Sequence, residues 1–181
     1  MKNSIALFGL LATAVFAGTA KEFDNEAGFA YGCGNPFGLG ALEIWHHLNP
    51  THGMGTGIGV SLAGTNFGVG YKRYFRVETH FNPWIGISGF YATGRDSAPV
   101  IVPTVTIATY RLKPGFALQP RAGIRYQAGW LNFHLNVGWG FPLVGGGAEF
   151  EDADLGRRSD KAADFFAIGG PELSMATMFR F

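Results

Sequence analysis

Read at every second residue, the stretch WLNFHLNVGWGF puts Leu131, Phe133, Leu135, Val137, Trp139 and Phe141 on one face and Asn132, His134, Asn136, Gly138 and Gly140 on the other. Alternation of this length predicts a strand whose two faces meet different surroundings. GFALQPRAGIRYQA repeats the pattern, with Phe116, Leu118, Ile124 and Tyr126 opposing Gln119, Arg121, Gly123 and Arg125. Looser versions occur in LGALEIWHHL, GTGIGVSLA, TNFGVGYKRYF, NPWIGISGFYAT and VIVPTVTIATY, and the chain closes on another, PELSMATMFRF. That makes about eight strands, the smallest usual number for a membrane barrel. The breakers NPTHG, GTN, HFNP, GRDSAP and KPG separate them. Between Phe141 and Pro171 the alternation stops, so residues 142–170 are expected to form one long, charge-rich loop with a helical turn starting at Ser159. The segment 21–36 is left unassigned, because AGFAYGCG fits an extra strand, the start of the first one, or a piece tucked into a barrel mouth.

Alternation shows that two environments exist without saying which is enclosed. A soluble lipocalin-like carrier would turn its apolar face inward and show water a face rich in Lys, Glu and Thr. Here the second face is Gly, Ala, Ser and Asn with a few ionic residues, a set that fits a narrow lumen. The large apolar residues are then expected outside, where hydrocarbon accepts them and water does not. A closed barrel also pairs every strand hydrogen bond internally, as a bilayer demands. The expected fold is all-β, an eight-stranded antiparallel transmembrane β-barrel over 37–181.

The start of the chain agrees with that destination. Lys2 precedes an apolar run from Ile5 to Phe16 and small residues through Ala20, which predicts a cleaved secretory signal over 1–20. Only 15% of residues are charged, against roughly 25% in ordinary soluble proteins. The net charge of +1 offers nucleic acid no general attraction. Cys33, the single cysteine, rules out an internal disulfide and is expected to be a small buried apolar residue.

With FGVGYKRYF followed by NPWIGISGFY, with LQPRAGIRYQ, and with the terminal MATMFRF, the chain resembles the small outer-membrane β-barrel family, the OmpA- and OmpX-like proteins and related bacterial barrels. The resemblance implies a bacterial outer-membrane location, short periplasmic turns, and longer loops outside that include 142–170, where an extracellular ligand could bind. The terminal strand, with Leu173, Met175, Thr177, Phe179 and Phe181 on one face, resembles the signal by which the barrel assembly machinery selects its substrates. Outer-membrane lipid and that machinery are the implied partners.

Chemistry is sparse. The lumen parity collects Glu43, Lys72, Arg121, Arg125, Glu172 and Arg180, with His134 as a further member, an excess of positive groups that must find partners in a poorly solvated space. A hydrogen-bonded plug is the favoured reading, with a small pore or ligand path as the alternative. His46 and His47 point to opposite faces and cannot share a metal, while His52 and His80 fall near predicted external turns. No serine lies two places from a histidine on one strand and no Gly-x-Ser-x-Gly elbow occurs, so a lipid-modifying enzyme is the weaker reading. The glycines of GMGTGIGV read as narrow-lumen packing, and Glu149, Glu151, Asp152 and Asp154 as a solvated cluster rather than a calcium loop. No cofactor or metal is expected. His46 and Arg73 fall on the outward parity near strand ends, and Pro103 and Pro120 predict local bulges.

Overall fold

The computed structural model describes residues 25–101, 107–150 and 168–181. Its strands are β1 (Asn25–Cys33), β2 (Gly40–Asn49), β3 (His52–Ser61), β4 (Gly64–Tyr74), β5 (Phe81–Ala92), β6 (Arg95–Ile101), β7 (Ile107–Leu112), β8 (Gly115–Ala128), β9 (Leu131–Gly145), β10 (Ala148–Phe150) and β11 (Gly170–Arg180). Eight of them close a barrel in the order β1-β11-β9-β8-β5-β4-β3-β2, with every neighbouring pair antiparallel. The expected architecture is thus present, assembled from a partly different set of strands.

The unassigned segment supplies β1. It carries the seam, pairing with β2 on one side and with β11 on the other. Asn25 and Phe181 each donate a backbone N–H to the other's carbonyl at 2.9 Å, which ties the two ends of the described chain together. VIVPTVTIATY, in turn, is not a barrel strand. Its described parts lie in β6 and β7, which pair with each other and with β10 in a separate three-stranded sheet. GRDSAP, read as a breaker, begins β6. One strand gained and one lost keep the total at eight, but they reverse the direction of β2 to β5. His52 and His80 accordingly sit at the end of the barrel that holds the termini, not at the opposite, loop-bearing end.

Three local expectations also change. Residues 142–145 continue β9 and residues 148–150 form β10, so the segment expected as one loop over 142–170 begins in strands; Ser159 and the acids Glu151, Asp152 and Asp154 lie outside the described residues, as does Pro103. At Pro120 the ladder with β9 keeps one register, from Leu118 opposite Phe141 to Arg121 opposite Gly138, and the register shift falls between Phe116 and Ala117 instead. The missing N–H of proline costs a ladder bond, but here the ladder continues beyond it without inserting a residue. Cys33 is exposed rather than buried, because it lies opposite Leu173 on the outward parity of the seam.

The orientation of the faces follows the alternation. On β9, Phe133, Leu135 and Val137 are exposed while Asn132, His134 and Asn136 are buried. On β11, Leu173, Met175 and Phe179 are exposed, as is Phe181 just beyond it, Thr177 is half-buried, and Glu172, Ser174, Ala176 and Met178 are buried.

Candidate functional site in the barrel lumen

The inward face of β1 is Glu26, Gly28 and Ala30, and its first member organises the lumen near the termini. Glu26 is fully buried and accepts hydrogen bonds from four side chains on three other strands. Its Oε1 lies 2.9 Å from His47 Nε2, 2.7 Å from Arg125 Nη1 and 2.8 Å from Asn132 Nδ2, and its Oε2 lies 3.1 Å from His134 Nε2. Arg125 is fixed further by Asn82 Oδ1 at 3.0 Å, and its guanidinium lies 4.2 Å from the centre of the Tyr74 ring.

Towards the loop end a second carboxylate, Glu172, receives a two-pronged ion pair from Arg121, with Nε to Oε2 at 2.8 Å and Nη2 to Oε1 at 2.6 Å. This planar match is the strong form of a charge-assisted bond. Gln119 Nε2 and the Ser174 hydroxyl complete the shell at 2.9 and 2.6 Å.

Lys72 is the third buried cation. Its ammonium lies 3.6 Å from the centre of the Trp45 ring and 4.6 Å from that of Trp84. Indole faces are the best aromatic partners for a desolvated cation. Trp45 also donates its Nε1–H to Glu43 Oε2 at 2.8 Å, so one indole ring touches an anion through its edge and a cation through its face.

Six of the seven expected lumen residues are therefore buried together: Glu43, Lys72, Arg121, Arg125, His134 and Glu172. Arg180 is half-buried at the rim, opposite Glu26 on the neighbouring strand. The expected surplus of positive charge is not found. Among the described residues the buried carboxylic acids are Glu26, Glu43 and Glu172, and the buried lysine and arginines are Lys72, Arg121 and Arg125, three of each. Glu26 was missed because its strand was unassigned, although the alternation of Glu26, Gly28 and Ala30 against Ala27, Phe29 and Tyr31 carried the signal.

Size does not sort the faces as cleanly as expected either. Trp45, Trp84, Tyr74, Phe37 and Met178 are fully buried inside. The glycine row of β3 makes room for two of them: a Cβ on Gly55 would stand 2.4 Å from the Trp45 ring, and one on Gly57 would stand 2.5 Å from Phe37. Phe37 enters from the β1–β2 connection, which folds into the loop-end mouth. That connection is held by Gln119 donating to Gly34 O, Asn66 donating to Pro36 O and Asn35 donating to Glu43. His46 and Arg73, on the outer wall, find local partners: His46 Nδ1 lies 2.7 Å from Asn25 Oδ1, and Arg73 sits over Phe75.

Compared with known proteins, the chain is similar in fold to the crystal structure of a major outer membrane protein from Thermus thermophilus. The likeness covers 89% of this chain and 100% of that one, with a TM-score of 0.50 and 13% sequence identity. No protein-family model and no curated protein matches the chain. The shared property is the fold of a closed antiparallel barrel.

Proposed function

We propose that the protein is a bacterial outer-membrane β-barrel of the small, OmpA- or OmpX-like kind, with a structural or surface-interaction role and a lumen plugged by its own side chains. The observation that carries this reading is the inversion of polarity. Large apolar side chains such as Ile58, Ile85, Ile124, Leu135 and Leu173 are exposed around the outer wall, while three carboxylates, two guanidiniums and an ammonium are buried within. Water would aggregate such an exterior, and acyl chains require it.

Aromatic residues support the same placement. At the termini end Trp130 stacks on Phe179 at 5.5 Å, and Phe81 packs on Tyr126 at 4.9 Å, the type of ring that favours a membrane–water boundary. The plug reading draws on the paired charges and on Trp45, Trp84 and Phe37 filling the space between them. The surface role draws on the β6-β7-β10 sheet, which stands apart from the closed ladder at the loop end.

The test is fractionation followed by reconstitution. The protein is expected in the outer-membrane fraction, extractable only with detergent, with heat-modifiable migration on a mildly denaturing gel. In planar bilayers it is expected to be silent at high salt. Recovery from the soluble periplasm without detergent would overturn the membrane reading, and steady conductance steps would overturn the plug.

A further inference from the structure

We propose that the loop-end mouth of the barrel is a binding site for a small uncharged molecule that joins an apolar ring to a hydroxyl group. The inference goes beyond the proposed function, since it rests on the shape and chemistry of the mouth alone. A cavity of about 150 Å³ opens there, between the inward-folded β1–β2 connection, the β3–β4 turn and the residues leading into β11. Leu39, Leu62, Phe90 and Ile168 give it apolar walls. Asn35, Ser61, Asn66 and Gln119 add polar atoms to the same wall, and the space matches a benzene-sized ring.

Charge is excluded by what lies beneath. The carboxylates below the cavity are already engaged, Glu172 by Arg121, Gln119 and Ser174, and Glu43 by Asn35 and Trp45. No charged side chain among the described residues lines the cavity, so a charged ligand would give up hydration there without gaining a counter-charge.

The hydroxyl has a place to go. Gln119 lines the cavity and is almost completely buried. Its Nε2 donates to Gly34 O at 2.7 Å and to Glu172 Oε2 at 2.9 Å, so both amide hydrogens are used and the side chain is held in one orientation. Its Oε1 is then the atom of that amide left to accept a ligand's O–H. The walls are fixed as well, since Asn66 and Asn35 pin the connection that forms one side. Pockets with apolar walls and a few fixed polar atoms commonly occupy barrel mouths.

Because the Cys33 side chain lies on the outward parity, the reporter thiol is placed in the cavity wall as Ser61→Cys in a Cys33→Ser background, so that its labelling reports on occupancy. The full-length mature protein with these two substitutions, in nonionic detergent, is labelled with a fluorescent maleimide, with benzyl alcohol as the probe and benzoate and benzylammonium as charged analogues. Benzyl alcohol is expected to slow labelling saturably, by about tenfold at ten times its Kd, because only empty sites react. The charged analogues are expected to have no effect. Leu39→Trp and Leu62→Trp, at half-exposed positions that let an indole fill the cavity, are expected to abolish the protection while migration stays heat-modifiable. Absence of saturable protection, equal protection by the charged analogues, or protection that persists in both folded variants overturns the proposal.

Discussion

Glu26 on β1 and Arg125 on β8 lie 99 residues apart in sequence and 2.7 Å apart in the lumen, oxygen to nitrogen, joining strands that are not neighbours in the barrel. The same carboxylate holds His47, Asn132 and His134, so one side chain ties β1, β2, β8 and β9 together. Removing it leaves a buried guanidinium without its anion. Glu26→Gln is expected to destabilise the barrel by about 3–5 kcal/mol, the usual cost of breaking a buried ion pair. The double variant Glu26→Gln/Arg125→Met is expected to recover part of the loss. Urea unfolding in detergent measures both, and a double variant less stable than Glu26→Gln would argue against the pairing.

The glycine row of β3 is expected to be intolerant for a steric reason. A methyl at Gly55 or Gly57 meets an aromatic ring at less than 3 Å, whereas nothing lies within 4 Å of one at Gly40. Gly55→Ala and Gly57→Ala are each expected to cost about 1–3 kcal/mol through overpacking, with Gly40→Ala nearly neutral. Melting temperatures of the three variants check the ranking.

A charge on the outer wall separates the membrane reading from a soluble one. Leu135, exposed in the middle of β9, becomes unfavourable as Arg only if it faces hydrocarbon. Leu135→Arg is expected to lower folding stability in phospholipid vesicles by about 2–4 kcal/mol. Unchanged stability in vesicles would count against burial of that face in lipid.

The terminal residue closes the seam through its backbone and leaves its ring exposed. Deleting Phe181 is expected to impair insertion while export stays intact. Immunoblots of periplasmic and outer-membrane fractions check this, and normal membrane levels of the truncated chain would contradict it.

Outside the barrel, Lys113 and Glu149 form an exposed ion pair, and Lys113 holds the Glu149 carboxyl below the usual carboxylate range. A carboxyl with a lowered folded-state pKa contributes to stability above its unfolded value. That contribution disappears as pH falls through the folded value. Lys113→Ala is expected to raise the Glu149 pKa to the ordinary range, as read by carboxyl-carbon NMR titration, without changing barrel stability at neutral pH.

Alternation along the chain determined most of the barrel without reference to any contact. A strand with apolar residues at every second position presents two unlike faces, and the small, polar character of one of them was enough to expect six of the buried ionic residues on the lumen side. Local sequence could not decide which segments closed the ladder. VIVPTVTIATY has the β-branched composition of a strand, and its described parts lie in strands outside the barrel, while NEAGFAYGC completes the barrel by pairing with both β2 and β11. Charge balance followed from that choice, since Glu26 enters the lumen only once β1 is in place. Partners such as Glu26 and Arg125, Arg121 and Glu172, and Lys72 between two indoles are set by closure of the ring, which brings distant positions face to face across a space too narrow to leave any charge unpaired.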